Sequence, residues 1–461
     1  MAVTLVMRWP WRLFPIGYDE SVWGYIAQQV LKGDFVPYRD VIDNKPPLVY
    51  VPFIFSEALV GHGDRALRGT GIGLHVLIVG LLVWALCRVL GPLAAASVGA
   101  ATAVLGGTPL LEGNYLLQSE VQIQLVLVGL LWTASLCGDT KPSRSSRAVP
   151  VLFGVLSAMA FLTKQTHILL APPLFVLALL ATPVNRRLRG AIGFLAAFTA
   201  VVLIVVLPFA LSGSVPDLVD GVFLHNVRHV AALPTWSLLA ARLGDVFSNQ
   251  MPLVVLGLAG GIVGLLRVAT RIPTIVSWLF LLAGAAGVIV SGDRFYRHYF
   301  LLLSFPLHLL LGCGIAALPR WPQRLVASAV LLFLASRIPG ERRLPAEIFK
   351  VTPAPIDPEP LAFLAAHRAP GEVVFFEWQP NYYETGLRAP HRYLSTDHLA
   401  MPGYESEKEK VLRVLQTEKV EWIVTRIGTS TGDWGLGGII SSRYSRMFES
   451  THGAVYQRLP P

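Results

Sequence analysis

The stretch DVIDNKPPL, Asp40 to Leu48, sets two carboxylates, a lysine and a Pro-Pro pair directly before the apolar run Leu48 to Val60. Its meaning depends on which side of a membrane it faces, because the chain around it is built for lipid. Of 461 residues 53% are hydrophobic and only 15% charged, with a mean hydropathy of +0.56, whereas soluble proteins carry about a quarter charged residues. These values indicate an integral membrane protein. The net charge of +9 is then to be read against the positive-inside rule before nucleic acid is considered as a partner. Cys87, Cys137 and Cys313 have no metal-ligand spacing, so neither a disulfide nor a cysteine metal site is expected.

A helix crosses a bilayer in about 17 to 25 residues. Runs that reach or approach this length lie near 69–87, 93–108, 121–137, 149–163, 168–182, 190–211, 250–266, 273–291 and 299–317, with a weaker one at 325–337. Alternating them places Arg88, Lys141, Arg144, Arg147, Arg186, Arg187, Arg189, Arg267, Arg271, Arg320 and Arg324 on one side, which is therefore the cytoplasm. The other side receives most of the carboxylates of the first 300 residues, and everything after about residue 340. The first 17 residues contain Arg8, Pro10 and Arg12 and make a poor span, although the parity requires a crossing there. The reading is a helix truncated at its N-terminus; the segment lacks the long apolar stretch and the cleavage site of a signal peptide.

The expected fold class is an α-helical polytopic membrane protein of 10 to 11 spans. Residues 1–340 form the membrane part, and 341–461 a small extracytoplasmic α/β domain. In the latter, 372–378, 421–427 and 453–459 read as strands, while PEPLAFLAAHR and SEKEKVLRVLQTEKV read as amphipathic helices. It has neither a Gly-rich phosphate loop nor a Ser/His/Asp pattern, and so it is expected to shape an acceptor surface.

Three outer segments carry the candidate chemistry. In the first, Asp19 and Glu20 open a helix whose Val22, Trp23, Ile26, Val30 and Leu31 suit a position flat on the membrane. These carboxylates have two readings, a favourable helix-dipole interaction or a functional pair. Lys45 precedes a Pro-Pro helix start, where the positive end of the dipole suits an anion, or else it snorkels to headgroups. In the second segment Glu120 begins a span, with Asn114, Tyr115 and Gln118 nearby as hydrogen-bonding groups for a polar ligand. In the third, SGDRFYRHYF, the cations Arg294, Arg297 and His298 run against the positive-inside bias and suit phosphate, the alternative being ordinary headgroup contacts. Lys164 joins two spans at the same outer level. His225 and His229, four apart, have a metal-compatible spacing but no evident third ligand.

The DE pair after an N-terminal helix, GDFVPYRDVIDNKPPL, an acidic residue at the second outer loop, and RFYRHYF before a late span together resemble the GT-C fold glycosyltransferases. Within that superfamily the likeness is to the bacterial protein O-mannosyltransferases, the lipid A aminoarabinose transferases and the lipopolysaccharide-core galacturonosyltransferases. It covers Tyr18 to Ala317, and PYRD...D.KPPL is its most specific part.

The resemblance implies transfer of a hexosyl or pentosyl group from a polyprenyl-phosphate donor to an envelope lipid, glycan or protein acceptor. The reaction would take place at the outer face of the inner (plasma) membrane, with inversion. It implies Asp19 as catalytic base and Glu120 as the second acidic position. Lys45, Arg297 and His298 would be the donor-phosphate binders, with Glu20, Tyr38, Asp43, Asn114, Lys164 and Arg294 as accessory positions. Such a transfer needs a base for the acceptor proton and cations for the departing phosphate. The partners are then the lipid-linked donor, the acceptor and membrane lipids, with no nucleic acid. No cofactor is assigned, and a divalent metal stays open. The competing readings are a secondary transporter, disfavoured because the carboxylates cluster at outer ends and not at the bilayer midplane, and a non-catalytic envelope assembly protein.

Overall fold

The computed structural model describes residues 1–13, 16–106, 117–135, 145–229, 235–291, 295–351, 358–394, 396, 399, 404–417, 419–426, 434–451 and 453–460. The N-terminal stretch forms a short helix, α1 (Ala2–Arg8), continued by a 3-10 turn, Trp9–Leu13. Then come α2 (Tyr18–Lys32), a loop through Asp43 and Lys45, and an apolar segment, Pro47–Val60, containing α3 (Val51–Phe55). The helices α4 (Asp64–Val89), α5 (Pro92–Leu105), α6 (Ser119–Ser135), α7 (Ser145–Thr163), α8 (Ala171–Ala181) and α9 (Arg187–Leu211) follow. Two short helices, α10 (Val215–Val219) and α11 (His225–His229), precede α12 (Trp236–Phe247), α13 (Met251–Leu266), α14 (Val268–Val290), α15 (Leu301–Ala317) and α16 (Arg320–Val351).

Hydropathy decides these elements, and turn residues divide them. Gly91, at φ +85°, turns the chain out of α4, and Pro92 starts α5 at a position where a missing N–H costs nothing. Among the described residues four helical segments are long and apolar enough to cross a membrane: Asp64–Val89, Val184–Leu211, Val268–Val290 and Arg297–Ala317. Trp236–Phe247 with Met251–Leu266 makes a fifth if the two are one span, and the remaining apolar helices are shorter. The chain is a multi-pass membrane protein. Its helix α15 is central, with 94% of the best window buried, whereas α9 is peripheral, with 11%. Small residues bring α13 against α15: a Cβ on Gly260 would stand 2.7 Å from the Leu310 carbonyl oxygen. This is the close backbone approach that holds helices together in lipid, where apolar burial cannot.

The C-terminal part comprises α17 (Pro358–His367), β1 (Val374–Phe376), α18 (Pro380–Thr385), α19 (Glu405–Gln416), β2 (Trp422–Arg426), α20 (Leu436–Arg443), β3 (Tyr444–Glu449) and β4 (Gly453–Arg458). Its sheet has the order β1-β2-β4-β3, with β1 and β2 parallel and the other pairs antiparallel. The expected strands at 372–378, 421–427 and 453–459 correspond to β1, β2 and β4. The strand β3 was not foreseen, because its burial pattern leaves most of it at an exposed edge.

One expectation is corrected. Helix α2 does not lie with an apolar face on lipid: Val22, Trp23, Tyr25, Ile26 and Ala27 are buried, and α18 packs across the helix. At Gly24 an added Cβ would stand 2.8 Å from the Tyr383 ring. The Tyr25 hydroxyl accepts the Ala389 N–H at 2.8 Å, and Lys32 Nζ donates to the Gly386 carbonyl at 2.7 Å. The C-terminal part thus seats on the helix that begins with Asp19.

Candidate active site

Asp19 sits in the first turn of α2, whose start is fixed by its neighbour. Glu20 is buried; its carboxylate accepts the Gly17 N–H at 3.0 Å and the Leu117 N–H at 3.1 Å, and pairs with Arg68 at 2.8 Å. Arg68 is itself buried on α4. A buried pair of this kind holds only with further hydrogen bonds, and both backbone donors supply them. Glu20 is therefore fully engaged in anchoring the helix start. Asp19 is part-exposed and, among the described residues, makes no hydrogen bond or ion pair.

The loop after α2 turns sharply at Tyr38, which has φ +68°. The Tyr38 hydroxyl donates to the Lys45 carbonyl at 2.7 Å, and Tyr38 N–H to the Val41 carbonyl at 2.8 Å. Asp43 Oδ2 accepts both the Trp23 indole N–H at 2.9 Å and the Tyr50 hydroxyl at 3.0 Å. The Asn44 carbonyl accepts the side-chain amides of Gln165 at 3.1 Å and Asn226 at 2.8 Å. These bonds fix the loop so that Lys45, buried, projects into the interior of the helical part.

There it meets groups from three other elements. Glu120, at the start of α6, is fully buried; Lys164, at the end of α7, donates to it, and the Ser119 hydroxyl donates at 2.9 Å. The Tyr299 ring, just before α15, lies 4.0 Å from Lys164 Nζ and 5.9 Å from Lys45 Nζ, within cation-π range for both. His298 stacks on Tyr296, with centroids 5.7 Å apart, and meets the edge of Tyr299 at 4.7 Å. Its charge reaches Glu120, and the charge of Asp19 reaches Asp43, Lys45 and Lys164.

Burial pushes the Asp43 carboxyl up to about 6. For Lys45, burial alone would lower the pKa, but Tyr299, Glu120, Asp19 and Asp43 outweigh it and raise the pKa, which keeps the ammonium charged. Buried cations beside one part-exposed carboxylate could neutralise an anionic group while leaving a base at its edge.

The structure thus brings Asp19, Asp43, Lys45, Glu120, Lys164 and His298 together, with Tyr38 behind them. Arg297 turns elsewhere, to Asp245 on α12 at 3.0 Å, and is 41% exposed. Asn114 and Arg294 lie outside the described residues. His225 packs edge-on against Tyr404, whose hydroxyl lies 3.3 Å from its Nε2. Among the described residues no group of three His, Cys, Asp or Glu side chains could hold a metal ion. Three neighbours were missed from sequence: Tyr299, His167 and Arg68. His167, one turn past Lys164, is buried and within electrostatic reach of Glu120. The spacing TKQTH held its signal, since a histidine three residues after a site lysine returns to the same face of a 3-10 turn.

Comparison with solved structures bears on this arrangement. ArnT from Cupriavidus metallidurans bound to undecaprenyl phosphate matches with a TM-score of 0.68 and 16% sequence identity, over 99% of this chain and 97% of that one. The chain has the GT-C fold. The apo state of ArnT matches equally, with a TM-score of 0.68. The archaeal oligosaccharyltransferase AglB from Archaeoglobus fulgidus, in complex with an inhibitory peptide and a dolichol-phosphate, matches with a TM-score of 0.54 and 12% identity, over 99% of this chain and 74% of that one. The family model for dolichyl-phosphate-mannose-protein mannosyltransferase matches residues 44–211, which begin in the Lys45 loop of this GT-C chain and run to the end of α9. Comparison with curated proteins gives no match.

Proposed function

We propose that the chain is a glycosyltransferase that moves a sugar from a polyprenyl-phosphate donor to an acceptor of the cell envelope, with inversion. The observation that carries this reading is the contrast among the carboxylates. Glu20, Asp43 and Glu120 are each committed to donors from the protein, whereas Asp19 is uncommitted, part-exposed and within electrostatic reach of two buried lysines. Asp19 takes the proton of the acceptor nucleophile as it attacks the anomeric carbon. Lys45 holds the phosphate and stabilises the negative charge that grows there as the glycosidic C–O bond breaks. Lys164, oriented by Glu120 and Tyr299, and His298 complete the phosphate-facing wall. Glu120 acts by orienting Lys164, Asp43 by fixing the Lys45 loop, and Arg297 belongs to the rim.

Undecaprenyl phosphate in the ArnT structure and dolichol-phosphate in the AglB structure support a lipid-linked donor. A prenyl tail would reach the site through the apolar helices. Residues 1–340 act as the membrane catalytic part and 341–461 as an extracytoplasmic cover over α2, in the inner (plasma) membrane. A transporter fits less well: the ionisable cluster stands at helix starts and loop ends, not on helices broken at the midplane.

The test is transfer of radiolabelled sugar from a panel of polyprenyl-phosphate sugars into membranes containing wild type or Asp19→Asn at matched expression. Wild type transfers label from at least one donor, and the variant loses about 100-fold or more, as expected when a general base is removed. Undiminished transfer by Asp19→Asn would remove that residue from the mechanism.

A further inference from the structure

A second site lies at the other end of helix α7. Lys164 follows the C-terminus of α7, while Pro150 and Val151, in its first two turns, line a pocket of about 320 Å³. At 1.5 Å per residue the two positions stand roughly 20 Å apart along the helix, so the pocket cannot be part of the site described above. Its other walls are Thr182 and Pro183, just past α8, and Arg186, Arg189, Gly190 and Gly193 around the start of α9. Sequence accounts for the opening. Gly190 and Gly193 carry no side chain where α9 faces α7 and α8; a Cβ on Gly190 would stand 3.1 Å from Thr182 Oγ1, and one on Gly193 3.3 Å from Val151 Cγ2.

The chemistry of the pocket is that of an anion site bordered by lipid. Arg186 and Arg189 line it, and among the described residues no carboxylate pairs with either. The 3-10 turn Val184–Arg186 runs directly into the 25-residue helix α9, with the Arg187 N–H donating to the Val184 carbonyl, so the anion-binding groups at this end are the two guanidinium side chains. Outside the pocket the turn before α9 and the helix itself are apolar and bare: Val184 in the turn and Leu188, Ile192 and Leu195 on the helix are 75%, 74%, 58% and 55% exposed. A soluble anion would have no use for that surface. An acyl chain would lie along it while its headgroup entered between the arginines.

We propose that this pocket binds the phosphate-bearing headgroup of an anionic membrane phospholipid. Basic pockets between membrane helices recognise such headgroups, and the volume falls in the range of small-ligand sites.

The test is lipid binding to the purified full-length chain in neutral detergent, followed by native mass spectrometry during titration with phosphatidylglycerol, phosphatidylcholine or inorganic phosphate. Wild type takes up phosphatidylglycerol in preference to phosphatidylcholine. Arg186→Gln/Arg189→Gln weakens this roughly 10- to 30-fold, from the attraction each arginine exerts near an anionic surface. The control Arg267→Gln/Arg271→Gln, which removes one arginine between α13 and α14 and one in the first turn of α14, binds as wild type, and size-exclusion profiles verify that both variants are folded. Equal binding by the Arg186/Arg189 variant overturns the proposal, as does an equal loss in the control, which would mean that net charge alone is read. Saturation of the site by millimolar inorganic phosphate, with displacement of phosphatidylglycerol, would overturn the lipid assignment in favour of a soluble anion.

Discussion

Lys45 and Arg297 look alike in the sequence, each a cation beside an outer helix start, and their surroundings separate them. Lys45 is buried among Tyr299, Glu120, Asp19 and Asp43, whereas Arg297 is 41% exposed and already paired with Asp245. Truncating a buried charge that faces a substrate phosphate leaves that phosphate unpaired in a dry site; truncating a rim ion pair changes little. Lys45→Gln should therefore lower kcat/KM for the lipid-linked donor about 30-fold or more, while Arg297→Gln stays within about threefold. Steady-state transfer against donor concentration checks both, and a larger loss in Arg297→Gln than in Lys45→Gln would reverse their roles. The identities of Asp19, Lys45, Glu120 and Lys164 were legible because polar residues at the ends of apolar runs need a reason to be there. Tyr299 was not, since an aromatic opening an apolar helix reads as core. Arg68, four residues into α4, drew no reading from the sequence, and only its contact with Glu20, 48 positions earlier, shows its use.

At the scale of elements, the helices were legible because hydropathy alone separates them, and β3 was not because its residues alternate little and face solvent. The loop from Tyr38 to Lys45 lies between these cases. Its motif was evident, but the donors that hold it, Trp23, Tyr50, Gln165 and Asn226, come from segments whose proximity no local pattern reports. The loop also carries a pH dependence. Burial raises the Asp43 carboxyl from 3.8 to about 6, with Lys45 opposing and Asp19 reinforcing the shift. The folded chain thus holds this proton more tightly than the unfolded chain does. The resulting stabilisation is complete below about pH 4 and is lost as pH rises through 6. A shift of about two units corresponds to roughly 3 kcal/mol as an upper bound. Asp43→Asn keeps an acceptor for Trp23 and Tyr50 without the ionisation, so its Tm should exceed that of wild type at pH 8 and converge with it only toward pH 4. A Tm difference that does not change with pH would show that Asp43 does not titrate in this range.

For the whole molecule, the two parts of the chain meet along α2, where the C-terminal part seats, and at the loop that carries Lys45, which Arg392 ties down. Arg392, in the C-terminal part, donates to Asp217 at 3.2 Å and Asp220 at 2.8 Å, both in the segment that follows α9, while its carbonyl accepts the Ile42 N–H at 2.8 Å. Arg228 reaches Asp220 at 2.5 Å and Glu407 at 3.6 Å, so one cation is shared by carboxylates of both parts. A separate contact, from the Tyr383 hydroxyl to Glu57 at 2.7 Å, holds the opposite flank of α2. Removing the Arg392 side chain leaves its backbone bond to Ile42 and leaves Asp220 paired with Arg228, but it frees Asp217 and halves the positive charge that offsets the two aspartates beside the loop. Arg392→Ala should cost about 1.5 to 3 kcal/mol for its part-buried, charge-assisted bonds, seen as a lowered Tm, and should raise the donor KM because Lys45 is less well placed. Arg392→Lys restores one point charge without the fork that spans two carboxylates, and so recovers stability only in part. A Tm loss with an unchanged donor KM would mean that the C-terminal part stabilises the membrane helices without organising the Lys45 loop. A raised KM that Asp217→Asn/Asp220→Asn relieves in the Arg392→Ala background would establish that the loop responds to the charge of those aspartates.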